Sequence, residues 1–130
     1  MKDLIQKVLV WAEDRNLIKG STPVKQLNKT SEEFNELQRA VGEYNIMKKI
    51  NSQTDDAFFT DVFTAHNSIK DGFGDVLVTL IIAAKQLDLD IEQCLDSAYL
   101  EIKDRKGRMI DGIFVKEADL PVEDVHEHNT

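Results

Sequence analysis

Three glutamates lie close together in the segment KTSEEFNEL. At the helical spacing of about 100° per residue, Glu32, Glu33 and Glu36 fall within roughly 100° of one another on one face. That face also carries Lys29 and borders an apolar stripe. The cluster is either a solvated helix face with an i,i+4 ion pair or a site that holds a cation.

A second acidic pair, Asp71 and Asp75, leads into the apolar run VLVTLIIAA. A helix that is apolar on every side is expected to be buried, and the pattern predicts that it begins near Asp75. The two carboxylates either favour that helix N-terminus through its dipole or face the three glutamates. Burying ionised carboxylates is costly unless they are paired or bind metal, and ligation by oxygen alone suits Mg²⁺ or Mn²⁺.

Hydrophobic periodicity predicts the helices that must position these acids. The first helix is expected to end at Gly20, in the position where a left-handed residue is favoured. The sequence Ser21-Thr22-Pro23 then predicts the start of a second helix, with a hydroxyl cap before proline at the first helical position. This helix is expected to run to about Lys49.

In the second half of the chain, the sequence also predicts where helices and a turn begin and end. Helical spacing resumes from Thr54, and Asp90 caps a further helix that should stop near Gly107. Asp111-Gly112 lies between short apolar runs and predicts a tight hairpin turn.

These elements predict an all-α fold, an antiparallel helical bundle of four to five helices with a short C-terminal hairpin or irregular extension. A chain of 130 residues fits one domain. We expect this domain to cover 1–120 and the polar segment 121–130 to be disordered.

The chain is acidic, with a formal net charge of −8 at pH 7. Binding nucleic acid through its backbone requires a basic surface, so that partner is not expected. Cys94 is the one cysteine, which excludes an internal disulfide and fits a reducing compartment. The hydrophobic runs are too short to span a bilayer, so we expect a cytoplasmic protein that does not associate with membranes.

The segment SEEFNE at 31–36, followed by the acidic pair, resembles the EExxE…ExxD signature of the MazG-like all-α nucleoside triphosphate pyrophosphohydrolases. The runs TPVKQLNKTSEEFNEL and AYLEIKDRKGRMIDGIFVKEADL look like the small single-domain, phage-type members of that family. The likeness extends from about Trp11 to Leu120. It implies hydrolysis of an NTP or dNTP to the monophosphate and pyrophosphate.

The second half of the signature departs from the family pattern. The family's glutamate three residues before the last aspartate falls on Gly72, and the nearest acid is Asp71, one turn before Asp75. The interval between the two acidic halves is also longer than is usual in the family. Asp71 is therefore either a metal ligand or an outer-shell group.

The resemblance implies a site in which carboxylates hold Mg²⁺, or Mn²⁺, which neutralises phosphates and activates a bound water. The implied ligands are Glu32, Glu33, Glu36, Asp71 and Asp75. A carboxylate not fully committed to metal would take the proton of that water. Glu33 is the preferred general base, because its direction differs most from those of Glu36 and Asp75.

In an acidic chain, a nucleotide substrate needs cationic side chains for its phosphates, and an aromatic ring can stack on its base. Lys29 is the first candidate for the phosphates, with an intrahelical salt bridge as the alternative. Arg105 is preferred to Lys103, because it is expected on the inner side of the fourth helix. Trp11 either stacks on a nucleobase or belongs to the core.

Two further interpretations stay open beside the pyrophosphohydrolase. The chain could be a helical interaction module that has lost catalysis, or an all-α dUTPase-like diphosphohydrolase. The apolar residues Phe58, Phe59, Val62 and Phe63 add surface to a small bundle, which predicts a homodimer or homotetramer.

Overall fold

The computed structural model describes residues 1–51 and 59–121. In these ranges the chain is mostly helical, with a small two-stranded antiparallel sheet near the C-terminus. The elements are α1 (Lys2–Asp14), α2 (Pro23–Asn51), α3 (Phe59–Gln86), α4 (Ile91–Ile102), β1 (Gly107–Ile110), β2 (Ile113–Lys116) and a 3₁₀ turn (Glu117–Asp119).

Contacts divide the chain into two compact units, Met1–Glu92 and Gln93–Thr130. The first unit contains α1, α2 and α3, and the second contains most of α4 and the β-hairpin. In the described ranges no helix is both long and apolar enough to cross a membrane. The predicted tail, apart from its first residue, and the predicted helix start at Thr54 lie outside the described residues.

The start of α2 is the one that the sequence predicts. The Lys25 backbone N–H donates a 3.2 Å hydrogen bond to Thr22 Oγ1, and Pro23 is the first helical residue. The hydroxyl therefore satisfies an otherwise unpaired N–H of the first turn, while proline has none to satisfy. The helix ends at Asn51, close to the predicted end at Lys49.

The predicted end of the first helix at Gly20 is wrong. Helix α1 ends at Asp14, and the left-handed residue that follows is Asn16, with φ of 57°. Gly20 instead lies over this turn, where its N–H donates to the Asn16 carbonyl oxygen at 3.1 Å. A Cβ at Gly20 would collide with Asn16, so glycine is needed for close approach rather than for positive φ.

Helices α2 and α3 pack antiparallel along much of their length. Thr30 Oγ1 lies 2.8 Å from Thr79 Oγ1, and at the other end the rings of Tyr44 and His66 have centroids 5.5 Å apart. Between these contacts Leu37 lies against Gly72. Residues later in α2 therefore contact residues earlier in α3. This arrangement brings the acidic segment of α2 to the same level as the acidic segment of α3.

Helix α3 is one continuous helix, so the expected helix start at Asp75 is wrong. Asp75 lies sixteen residues after Phe59, far beyond the first turn, where the helix dipole acts. The expected all-round burial is also wrong, since Asp75 is exposed and Leu77 is 50% exposed. The dipole explanation for Asp71 and Asp75 is therefore removed, and the apolar run leaves surface uncovered.

In the second unit, Asp90 caps α4 as predicted, because its Oδ1 accepts a 2.9 Å hydrogen bond from the Glu92 N–H. The helix ends at Ile102, earlier than the predicted end near Gly107. The predicted hairpin is confirmed, since Ile110 pairs with Ile113 around a two-residue turn. Asp111 and Gly112 have φ of 51° and 80°, as a type I′ turn requires.

Candidate functional site

A cavity of 750 Å³ lies between the three helices of the first unit, and each helix contributes one stripe of side chains to it. Within each stripe the residues recur at three or four positions, so they share a helix face. Leu17, in the connection from α1 to α2, completes the lining. The stripes are Leu4, Lys7, Val8 and Trp11 from α1, Gln26, Lys29 and Glu33 from α2, and Asp75, Val78, Thr79 and Ile82 from α3.

The two acids of this cavity lie at one end of its α2–α3 wall. The antiparallel packing of α2 and α3 brings Glu33 to the level of Asp75, and Gln26 to the level of Ile82. Along α2, Gln26 and Glu33 are about 10 Å apart, because seven residues rise by about 1.5 Å each. The α2–α3 wall of the cavity therefore presents carboxylates at one end and uncharged side chains at the other.

Lys29 is ion-paired with two of the predicted acids. Its Nζ lies 3.2 Å from Glu32 Oε2 and 3.4 Å from Glu33 Oε1. The hydrogen bonds to Glu32 and then Glu33, followed by the Coulomb attraction of the same carboxylates, raise the pKa of the Lys29 ammonium above its usual 10.5. The Glu32 side chain is 66% exposed, whereas that of Glu33 is only 14% exposed. Glu33 is thus the acid held inside the cavity wall.

A smaller cavity of 230 Å³ adjoins the first through a shared residue. It is lined by Glu36 and Ala40 from α2 and by Asp71 and Asp75 from α3, among others. Asp75 lines both cavities. The α2–α3 pair therefore brings Glu33, Glu36, Asp71 and Asp75 to one side, whereas Glu32 is not among the residues that line either cavity.

Gly72, the position where the family signature has glutamate, is a point of close helix approach. A Cβ at Gly72 would lie 3.1 Å from Leu37 Cδ1 and 3.4 Å from Leu37 Cβ. Leu37 is itself buried, so it has little room to move. A longer side chain at 72 would push α2 and α3 apart, and the acid on the cavity side is Asp71 instead.

Carboxylate oxygens are hard ligands of the kind that Mg²⁺ prefers. Four carboxylates, those of Glu33, Glu36, Asp71 and Asp75, lie on the same side of the α2–α3 pair. Among the described residues, no three acids, histidines or cysteines are already close enough together to hold an ion. Glu33 is paired with Lys29, and Asp75 is exposed. Side-chain rotation would therefore be needed for Glu33, Glu36, Asp71 and Asp75 to share an ion.

Trp11 is a cavity residue and not a core residue. It is 43% exposed, and the Arg15 guanidinium lies 4.6 Å from the centroid of its ring. Arg15 also donates a 3.2 Å hydrogen bond to the backbone carbonyl oxygen of Trp11, which keeps the guanidinium beside this residue. The core interpretation of Trp11 is therefore wrong.

Lys103 and Arg105 belong to the second unit and follow the end of α4. The helical projection that favoured Arg105 over Lys103 is therefore wrong, because neither residue is on the helix. Their contact with phosphate stays a prediction.

Three polar residues of the cavity were missed from the sequence: Lys7, Gln26 and Thr79. Lys7 could have been found, because it is one turn before Trp11 on the same face of α1. Gln26 likewise precedes Lys29 by three positions. Thr79 lies within the apolar run and gave no signal.

No protein-family model matches the chain, and no solved structure matches it. The chain is similar to a curated phage protein, described as an uncharacterized 18.2 kDa protein in the rep-hol intergenic region of Haemophilus phage HP1 (strain HP1c1). The two are 38% identical over 90 residues, which cover 69% of this chain and 43% of the phage protein. The chain thus matches less than half the length of that relative, whose name states no activity.

Proposed function

We propose that the protein is a magnesium-dependent nucleoside triphosphate pyrophosphohydrolase of the MazG-like type, which releases pyrophosphate and a monophosphate. The observation that carries the proposal is that Glu33 of α2 and Asp75 of α3 line one cavity together with Lys29 and Trp11. That cavity offers carboxylates and cations to a metal-bound phosphate chain, and an apolar, aromatic end to a base.

The metal would be held by Asp75, Glu36 and Asp71, which line the smaller cavity. When bound, Mg²⁺ would neutralise phosphate oxygens and lower the pKa of a coordinated water. Glu33 lines only the larger of these two cavities and lies at its wall, so we assign it the role of general base. Glu32 takes an outer role, holding Lys29 by its ion pair.

Two ammonium groups are available for the phosphates. Lys29 is already shared between two carboxylates, which neutralise much of its charge. Lys7 lines the same cavity from α1. We therefore assign Lys7 to the phosphate chain, and Lys29 to keeping Glu33 in place until the substrate arrives.

We also propose the antiparallel bundle of four to five helices and its self-association. Leu27, Phe34 and Val41 recur every seven residues on one side of α2 and are all exposed. By helical spacing, all four glutamates of α2 lie on the other side. Phe73 and Leu77 of α3 are also exposed, as is Phe63 from the predicted aromatic cluster.

This side of α2 suits a second copy of the chain, because copies with a net charge of −8 repel unless they meet through an uncharged surface. Light scattering at micromolar concentration should give a dimer or tetramer, and Phe34→Glu should shift it to monomer. Asn35→Glu, at the next and exposed position, is the matched control and should not. A wild-type monomer would contradict this part of the proposal.

The enzymatic test is product analysis with a panel of canonical and modified nucleoside triphosphates and Mg²⁺. We expect pyrophosphate and the monophosphate, with no orthophosphate, and no turnover in the presence of a chelator. Activity confined to deoxyuridine nucleotides would favour the dUTPase-like alternative.

The non-catalytic interaction module is the second candidate, favoured by the close approach at Gly72, where glycine replaces the signature glutamate and an added Cβ would require Leu37 to shift. It predicts that no nucleotide in the panel is hydrolysed. It also predicts no magnesium binding by calorimetry.

A further inference from the structure

The cavity contains one neutral polar side chain whose hydrogen bonding is incomplete. Of the residues that line it, Lys7, Lys29, Glu33 and Asp75 are charged, and only Gln26 and Thr79 are polar and uncharged. The charged groups suit the metal and phosphates. Recognition of an uncharged part of a ligand therefore depends on Gln26 or Thr79.

Thr79 is already satisfied by the protein. Its side chain is buried, and its hydroxyl donates a 2.8 Å hydrogen bond to the Val76 carbonyl oxygen. The Thr30 hydroxyl lies 2.8 Å from Thr79 Oγ1. With its single hydrogen used, Thr79 has no donor left for a ligand.

Gln26 keeps most of its hydrogen-bonding capacity. Its Nε2 donates a 3.2 Å hydrogen bond to Ser21 Oγ, which fixes the side chain at the start of α2. A primary amide has two donor hydrogens and an acceptor oxygen, so one N–H and Oε1 remain. A donor beside an acceptor is the arrangement that reads the edge of a nucleobase.

Gln26 also lies at the correct end of the cavity. Leu17, in the connection just before α2, and Trp11, in the last turns of α1, line the same cavity. The acidic end at Glu33 is about 10 Å away along the helix. That separation is comparable with the reach from a nucleobase edge to the α-phosphate of its own nucleotide.

We infer that Gln26 is a specificity-determining residue that hydrogen-bonds the edge of a nucleobase lying against Trp11. This inference rests on the proposed nucleotide site. Because a serine hydroxyl can donate as well as accept, Ser21 can hydrogen-bond the Gln26 amide in either of its two orientations. Gln26 can therefore pair with base edges that present their donor and acceptor in either order. The wild-type protein should therefore accept several bases with modest preferences.

Two substitutions separate hydrogen bonding from packing. Gln26→Leu keeps the volume and removes the polar groups, so the affinity for each base should fall by up to about tenfold and the modest differences among bases should disappear. Gln26→Glu offers acceptors only, so it should favour the bases that present an exocyclic amino donor (cytosine, adenine and guanine) over uracil by about tenfold. Gln38→Leu, on the same helix and exposed, is the matched control and should leave the ranking unchanged.

The experiment is a titration of each protein with CMP, UMP, AMP and GMP in the presence of Mg²⁺, read by Trp11 fluorescence. Trp11 is the single tryptophan and lines the cavity, so its emission reports occupancy without turnover. Pyrophosphate release from the four triphosphates is measured in parallel. Circular dichroism checks folding, and if Gln26→Leu does not fold, the isosteric Gln26→Glu still tests the predicted change in base preference.

The outcomes distinguish the two claims. Base-dependent quenching that changes with Gln26 but not with Gln38 supports the inference, even if no triphosphate is hydrolysed and the proposed activity fails. Hydrolysis with the wild-type base ranking in both Gln26 variants overturns the inference and leaves the activity standing. Neither quenching nor hydrolysis by the wild-type protein overturns both.

Discussion

Leu37 of α2 and Gly72 of α3 mark a place where the two helices approach closely, since a Cβ at 72 would lie 3.1 Å from Leu37 Cδ1. Two residues on, Gly74 faces open space, with nothing within 4 Å of an added Cβ. Both glycines lie in the interior of α3. They therefore form a matched pair in which only the packing differs.

Gly74→Ala should raise the free energy of unfolding by up to about 1 kcal/mol, because alanine is the better helix former. Gly72→Ala gains the same propensity but must displace Leu37, so it should be clearly less stable than Gly74→Ala. Gly72→Glu should destabilise by about 1–3 kcal/mol. Urea unfolding of the variants measures these differences, and equal stability of the two alanine variants would contradict the close approach.

Glu32 and Glu33 are neighbours in sequence with different surroundings, so the same substitution at each tests the assigned roles. Glu33→Gln removes the proposed base from the cavity wall, and kcat should fall by about two orders of magnitude or more. Glu32→Gln changes an exposed side chain that lines neither described cavity, so activity should fall by less than about tenfold. Steady-state pyrophosphate release gives both values. Equal losses would return Glu32 to the site as a ligand.

The Lys29 ion pairs should make a pH-dependent contribution to stability. The pKa of Lys29 is raised in the folded protein by Glu32 and Glu33. A raised pKa means that the stabilisation is complete below the unfolded-state value of about 10.4 and is lost as the pH rises through the folded-state pKa. The difference in melting temperature between wild type and Lys29→Met should be constant from pH 7 to about pH 9.5 and shrink above it. A difference that grows with alkaline pH would contradict the assignment.

Gln86 connects the end of α3 to the segment between α1 and α2. Its Nε2 lies 3.3 Å from the Leu17 carbonyl oxygen and 3.1 Å from that of Ile18. Gln86→Met keeps the length but leaves both carbonyls without this donor, which should cost about 1–3 kcal/mol. Gln6→Met, at an exposed site in α1, should have little effect on thermal unfolding. A neutral Gln86→Met would show that water replaces the donor.

Local chemistry was enough to predict several boundaries. Thr22-Pro23 specifies a helix start and Asp111-Gly112 a type I′ turn through groups within four residues, so tertiary context had little to override. The end of α1 was misplaced because Asn16 and Gly20 both suit a helix end. Only the packing of the turn selects Asn16 for the left-handed conformation.

The site was only partly predictable for a different reason. Periodicity placed the glutamates on one face but could not show that Glu32 turns away from α3 while Glu33 faces it. The apolar run after Asp75 predicts a helix start, because an aspartate before an apolar run is typical of an N-terminus, whereas α3 in fact continues through this position. Spacing within one helix places Lys7 beside Trp11 and Gln26 beside Lys29, but it does not encode the packing that brings these two faces and α3 around one cavity.

The central claim is that carboxylates from α2 and α3 form one magnesium site, and Asp75, which lines both cavities, tests it most directly. The measurement is magnesium-dependent pyrophosphate release by wild type and Asp75→Asn, with the magnesium-induced change in melting temperature as a second readout. Asparagine keeps the size and removes a charged ligand oxygen, so turnover should fall by orders of magnitude. The thermal shift should also shrink, since an ion stabilises only the state that binds it. Wild-type turnover and an unchanged magnesium shift in Asp75→Asn would contradict the account.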